Sequence, residues 1–374
     1  MNGTSWRSIG LAIGAVALIA FGATPSDAQE RFRLKMQTAV PATGPHAELL
    51  KRYASSLDRM SGGRLKVEVL PAGAVVGPQE IADAVSKGLV DMGYAWTHYW
   101  TGKHPAAGLF SAPMSGAGTG LDQMGHLAWM QQGEGKELYR KLYQDVLKLN
   151  VVAFQVIPDG PEALGWFKKP ITSLEEFRKI KFRTPPGLPG QVYTEMGVSV
   201  TGLPGPEIIP AAERGVIDAG EWVNPASDLD MGFHQIFKYY SLQGLHQAID
   251  VGDVIINGNV WKKLPPDLQA IVEVASKASI TESLTYFVSE NSKALDVLVN
   301  KHGVKLFTPP ADYPPAFLKA ANTVLKGYEE KDPFFKEVVT SMRGFANTAV
   351  PYRVETLKQS LFMGEAGLEV SKKK

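Results

Sequence analysis

The sequence contains no cysteine. That absence excludes a disulfide framework, thiol catalysis and thiolate metal ligation. An excess of one charge is also missing, since 39 Lys and Arg face 38 Asp and Glu. The resulting balance of +1 supports neither a nucleic-acid nor a membrane-surface partner. No apolar run reaches the roughly 20 residues that a bilayer-spanning helix needs. The run from Ile9 to Phe21 is shorter, follows Arg7, and precedes the small-residue site Ser26-Asp27-Ala28. That order predicts a Sec-type signal peptide over residues 1–28 and a periplasmic mature chain. No Cys follows the apolar run, so lipid attachment is excluded. What remains is too long for one ordinary core and suits two domains.

Motifs for catalysis are absent as well. There is no Gly-x-Ser-x-Gly elbow and no His-Glu-x-x-His helix. Gly116, Gly118 and Gly120 imitate a dinucleotide loop, but Leu121 stands where the third glycine belongs, and the stretch reads as a plain loop. The seven His are scattered, which speaks against a His-based metal site. Glu175 and Glu176 read as solvated charge. An exported enzyme would need a nucleophile, a base and an orienting group at recognisable spacing, and none is found. A binding protein, or a sensor presenting ligand to a receptor, needs only a cleft.

What is present is alternation. Leu49, Leu50, Tyr53, Ala54, Leu57 and Met60 recur at helical spacing, predicting an amphipathic helix over 45–60. Leu65, Val67 and Val69 alternate with Lys66 and Glu68 as a half-buried strand. Residues 79–87 read as a helix and 90–94 as a short strand. Two helices are predicted within 121–149, then a strand from Val151 to Val156 that crosses into the second domain. Ser173 with Glu176 forms a capping box ahead of the strand Lys181-Phe182-Arg183. Residues 266–302 hold no internal Gly or Pro until Gly303 and read as one long helix. Its apolar positions drift around the surface without a heptad, so it fits a brace packed on different partners along its length. Shorter helices follow, one of them near 353–363. The fold class is therefore α/β, with two domains and a long helix between them.

Three stretches then become familiar. They read SGGRLKVEVLPAG from Ser61, AVSKGLVDMG from Ala84 and IIPAAERGVIDAGEW from Ile208. In this order they resemble the extracytoplasmic solute-binding subunits of tripartite ATP-independent periplasmic (TRAP) transporters, nearest the branch that binds 2-oxo acids and lactate. The resemblance implies a two-lobed periplasmic binding protein fold: 29–151 with about 242–282 as lobe I, 152–241 with about 283–345 as lobe II, and 346–374 as a C-terminal helix and tail. It further implies a small organic carboxylate as ligand, membrane permease subunits as partners, and a homodimer made by exchanging a C-terminal helix. Val354, Leu357 and Leu361 would supply the apolar stripe for that exchange.

Residue by residue, Arg183 matches the family's carboxylate-binding arginine, and a guanidinium can grip a carboxylate with two parallel bonds. With the ligand as its partner, Arg183 would be dispensable for stability of the ligand-free protein. Glu221 and Trp222 match the pair whose side chain and carbonyl hold a metal ion bridging to the ligand. Trp166 lies in a matching Gly-Trp-Phe, and four residues before it the family carries Gln as a further metal ligand. This chain has Glu162 there, with Gln155 as the nearby alternative amide. With Glu162, Glu221 and a ligand carboxylate against Arg183, a divalent ion restores neutrality, so calcium is favoured over sodium. Trp96, Tyr99 and Trp100 match an aromatic cleft wall, and Asn224 is a further candidate contact. The stretch from His246 to Asp253 departs from the family, which has an aromatic there, so the choice among 2-oxo, 2-hydroxy, aromatic and dicarboxylic acids does not carry over.

Overall fold

The computed structural model describes residues 30–114, 118–185 and 187–371. The expected signal peptide, Gly116 and the three terminal lysines lie outside the described residues. Among the described residues, no helix is long and apolar enough to cross a membrane.

The strands in chain order are β1 (Phe32–Thr38), β2 (Leu65–Leu70), β3 (Met92–Ala95), β4 (Val151–Pro158), β5 (Gly165–Phe167), β6 (Lys181–Thr184), β7 (Ser199–Gly202), β8 (Ala219–Gly220), β9 (Tyr239–Ser241), β10 (Val251–Asn257) and β11 (Lys305–Leu306). They form two sheets, one ordered β2-β1-β3-β10-β4 and the other β11-β9-β5-β8-β6-β7. In the first, β1 lies parallel to β2 and β3, and β10 runs antiparallel between β3 and β4. In the second, β6 is parallel to β7 and β8, while β5 opposes β8 and β9. This is the expected two-lobed α/β architecture.

The lobes join where the chain changes sheet. The strand expected to cross to the second lobe pairs along its whole length with β10 in the first sheet. The chain leaves that sheet only after Pro158, enters the second at Gly165, and returns between Ser241 and Val251. β10 is buried at every position and carries Val254, Ile255 and Ile256 in the middle of lobe I.

The predicted helix over 45–60 forms as Pro45–Met60 and buries Leu49, Leu50, Tyr53 and Leu57. The predicted brace is a helix over Pro266–Asp296, continued by a π turn over Val297–Lys301. It packs on β4 and the 45–60 helix of lobe I and on the Pro225–Met231 helix beside lobe II. Leu268, Val272 and Phe287 are buried along it, each side chain contributing about 1.5–3 kcal/mol. Its drifting apolar pattern thus reflects successive partners. The C-terminal part differs from the expectation of short helices. A single 39-residue helix runs from Pro333 to Ser371, straight through Pro351. Phe334, Phe335, Val338, Val339, Met342 and Ala346 bury its first half. Packing there outweighs the hydrogen bond that Pro351 cannot donate. Arg353 still ties the helix to Asp122 at 2.6 Å, and beyond Thr356 it is exposed throughout, with Leu361 and Phe362 62% and 73% exposed.

Candidate functional site

The walls of the cleft come from the ends of strands and the loops that follow them. On the lobe II side, β6 carries Arg183 and β8 leads directly into Glu221 and Trp222. Arg183 is 1% exposed, yet it is already well bonded. Its Nη1 donates to Glu221 Oε1 at 2.8 Å and to the Glu221 carbonyl at 2.7 Å. Its Nε and Nη2 both donate to the Leu203 carbonyl, at 2.9 and 2.6 Å. A guanidinium has five N–H donors, so one on Nη2 is left over. The expectation that Arg183 is dispensable without ligand is therefore corrected: it neutralises Glu221, which is equally buried.

Local backbone explains the motifs around this wall. Gly165 sits at φ 132°, and a Cβ there would lie 2.7 Å from the Gly220 carbonyl, so only glycine lets β5 pass β8 this closely. A Cβ at Gly205 would collide with the Trp222 ring. Trp166 donates its Nε1 to Asp228 at 2.8 Å. Asp228 also accepts from Tyr240 at 2.8 Å and from the Val223 N–H at 3.1 Å, which fixes the loop bearing Glu221 and Trp222. Burial pushes the Asp228 carboxyl up to about 6, against the downward pull of those hydrogen bonds.

Glu162 lies in the segment between the sheets, 2% exposed, its N–H donating to the Gln247 carbonyl at 2.9 Å. Its Oε2 is 3.6 Å from His246 Nε2, beyond hydrogen-bond length. Ligand atoms of Glu162, Glu221 and His246 all lie within 4.8 Å of one another. Glu162 Oε2, Glu221 Oε2 and His246 Nε2 are buried without a hydrogen-bond partner. Burial, then the neighbouring Asp250, Glu221 and Asp159, hold the Glu162 carboxyl well above the usual range. Burial raises Glu221 to about 8, with Arg183 pulling it back down. Burial and then Arg183 push His246 down to about 3, so it is neutral. A buried pair of carboxylates and a neutral imidazole with lone pairs unmet is a donor set suited to a cation.

On the lobe I side, Trp96 and the turn Thr97–Trp100 follow β3. Trp96, His98 and Tyr99 line a small cavity together with Arg183, Glu162 and Trp222. The Trp96 and Trp222 rings meet across the cleft with centroids 6.1 Å apart. Trp100 instead turns into the core, its Nε1 donating to Tyr143 at 3.0 Å. Asn224 caps the Pro225–Met231 helix by accepting from the Ser227 N–H at 3.2 Å, and its Nδ2 donates to the Asp159 carbonyl at 3.2 Å. Gln155 lies on β4, away from Glu162, and donates to the Phe110 carbonyl at 2.6 Å. Arg183, Glu162, Glu221, Trp222, Trp96 and Tyr99 are thus brought together; Trp100, Asn224 and Gln155 stand behind the walls.

Several polar residues here escaped sequence reasoning. His46, at the start of its helix, meets Asp159 at 2.5 Å across 113 residues of chain. Asp250 and Gln247 line the cavity, and Asp253 lies buried behind it within 3.5 Å of the Tyr143 hydroxyl. One signal was available. Asp250 and Asp253 interrupt an otherwise apolar run from Ile249 to Ile256, and acids inside a buried strand demand partners or function.

Residues 36–332 match the family described as bacterial extracellular solute-binding protein, family 7. A monocarboxylate 2-oxoacid-binding periplasmic protein of Nostoc is 32% identical over 84% of each chain. A TRAP transporter solute-binding protein of Bordetella bronchiseptica, crystallised as a dimer with calcium and picolinate, is 27% identical with a TM-score of 0.83, over 91% of this chain and 99% of that one. One of Pseudoalteromonas atlantica with sodium and pyruvate is 28% identical with a TM-score of 0.81, over 89% and 99%. With this fold and these matches, the chain belongs to the family 7 extracellular solute-binding proteins, the solute-binding proteins of TRAP transporters.

Proposed function

We propose that the protein works in the periplasm, captures a small organic carboxylate of the 2-oxo or 2-hydroxy acid class between its lobes, and hands it unchanged to a TRAP membrane permease. The observation that carries this reading is the buried set of Glu162 Oε2, Glu221 Oε2 and His246 Nε2, all without partners, beside Arg183 in one small cavity. Arg183 would offer its remaining N–H to the carboxylate. Glu162 and Glu221, with the Trp222 carbonyl, would hold an ion; such an ion, when bound, supplies the positive charge that lets a carboxylate share the site with two glutamates. Oxygen donors and the charge count favour calcium, and His246 would steady Glu162 from behind. Trp96 and Tyr99 would close over the ligand's apolar part, while Trp100 and Asn224 support the walls. Calcium with picolinate and sodium with pyruvate in the similar proteins fit this class.

The test is mass spectrometry of ligand released from purified protein, with metal analysis and calorimetry of pyruvate and lactate in chelator, sodium or calcium. Tight binding in calcium, lost in chelator, is expected. Binding that survives chelator and ignores calcium would overturn the ion, and failure of every small carboxylate would overturn the class. The exposed turns bearing Val354, Leu357 and Leu361 further support a homodimer. Light scattering at micromolar concentration should give twice the monomer mass, and a Leu361→Glu chain should give the monomer mass.

A further inference from the structure

Four tryptophans are fully buried: Trp96, Trp100, Trp129 and Trp166. An indole carries one donor and no acceptor, so a buried indole N–H either finds an oxygen or goes without a bond. Three of the four find one. Trp100 Nε1 donates to the Tyr143 hydroxyl at 3.0 Å, Trp129 Nε1 to Ser341 Oγ at 3.1 Å, and Trp166 Nε1 to Asp228 Oδ2 at 2.8 Å. Trp96 Nε1 is buried and meets no acceptor. Of the four, Trp96 is also the one that lines the cavity shared by Arg183 and Glu162. Its ring packs against His46, Tyr94, His98 and Tyr99 on the lobe I side and Trp222 on the other, all five centroids within 6.2 Å. A ring held on so many sides cannot turn to seek an oxygen elsewhere.

Leaving a buried donor unpaired is costly, and an acceptor that arrives with a ligand recovers that cost. Sites that hydrogen-bond a ligand group discriminate strongly against analogues lacking it, because their own polar atoms are then left unpaired. Arg183, on the lobe II wall, has an N–H left for a carboxylate. An acid seated there turns its next carbon, C2, toward the facing wall, where Trp96 stands. A ketone or hydroxyl oxygen on C2 can accept from the indole. A methylene offers nothing, and an ammonium sets N–H against N–H. Resting on the carboxylate reading above, we infer that Trp96 determines specificity by donating its indole N–H to an oxygen on C2 of the bound acid. Acids with that oxygen are preferred over their 2-amino and unsubstituted counterparts, and the bond ties the ligand to both walls at once. The ring face can still cover the ligand's apolar part, since the N–H lies at the ring's edge.

The experiment is calorimetry in calcium with pyruvate, both lactate enantiomers, alanine and propionate, which share one carbon skeleton, on the full chain and on Trp96→Phe. Pyruvate or a lactate should bind the unaltered protein at least about tenfold more tightly than propionate or alanine, one hydrogen bond being worth about this much. Phe keeps an aromatic ring without the N–H, so Trp96→Phe should shrink the pyruvate-to-propionate ratio by a similar factor. Loss of packing alone would weaken both acids together and leave the ratio as it was. In protein with nitrogen-15 tryptophan, the one indole proton missing from the Trp96→Phe spectrum should move downfield when pyruvate is added. Propionate or alanine binding as tightly as the oxygen-bearing acids, a ratio unchanged in Trp96→Phe, or an unmoved indole proton at saturating pyruvate would overturn the inference while leaving carboxylate capture intact. Failure of all these acids would overturn both. The ranking on unaltered protein decides the matter even where the variant does not fold.

Discussion

The two walls of the cleft bury polar groups by different means. On the lobe II wall most charge is settled internally: Arg183 pairs with Glu221 Oε1, leaving only Glu221 Oε2 of that carboxyl open, and Asp228 takes three donors from Trp166, Tyr240 and Val223. On the lobe I wall Asp250 meets Asp159, Glu162 and Gln247, burial and then Asp159 holding its carboxyl well above the usual range, and Trp96 Nε1 has no partner. A wall that is satisfied can be read as structure that also serves binding. A wall whose acids crowd together leaves its charge to be settled by what binds beside it. Damage to the first should therefore appear in stability, and damage to the second in selectivity.

The largest effect is expected from Arg183→Ala. Breaking a buried ion pair by removing one partner costs about 3–5 kcal/mol, here by stranding Glu221. Ligand affinity should fall at least about 100-fold, each factor of ten being about 1.4 kcal/mol. Melting temperature should fall even without ligand. Near-normal affinity by calorimetry would break the assignment, and an unchanged ligand-free melting point would break the claim that Arg183 settles the Glu221 charge within this wall.

Next in size is Asp228→Ala, which leaves three buried donors unmet. Each unsatisfied group costs about 1–3 kcal/mol, with some relief from water entering the gap. Chemical denaturation should show a loss of about 3 kcal/mol or more, while the ranking of ligands by affinity stays as it was. A changed ranking would blur the comparison, because a residue inside the satisfied wall would then be setting selectivity.

What sequence reading could reach follows from the range of the interactions. The Pro45–Met60 helix, the alternation of β2 and the Ser173 cap are local, with Ser173 Oγ accepting from the Glu176 N–H at 3.2 Å. Even there Glu176 turns its carboxylate to Thr172 instead of completing the box. Arg183, Glu221 and Trp222 were legible because family motifs carry them at strand ends. The lobe I wall was not. His46 finds Asp159 113 residues away, and Asp250 finds Gln123 127 residues away; neither pairing leaves a trace in spacing. The C-terminal helix was misjudged for a related reason. Pro351 looks like a breaker locally, and only the packing of Phe335, Val338 and Met342 against the body carries the helix on toward it.

The smallest effect concerns what backs the lobe I wall. The Phe110 carbonyl accepts from His126 Nε2 at 3.1 Å and from Gln155, and the next residue, Ser111, holds His98. Burial pushes His126 down to about 4, offset in part by its bond to Phe110, so it stays neutral in the folded chain. An unfolded His titrates near 6.5. The folded pKa is the lower one, so the unfolded chain takes up the proton first. The stability this histidine contributes is therefore complete above about pH 6.5 and is lost as pH falls toward 4. At pH 5 the loss should be about 2 kcal/mol relative to pH 8. Asp228 and Glu221, raised by burial, act in the opposite direction, but they are common to both chains when the protein is compared with His126→Gln at each pH. The Gln amide can keep the bond to Phe110 without titrating. Denaturation curves at pH 8 and pH 5 should show the unaltered protein losing about 2 kcal/mol more than His126→Gln. Equal losses would mean that the backing of this wall admits a proton without cost, and that its polar groups are less firmly positioned than those of Arg183's wall.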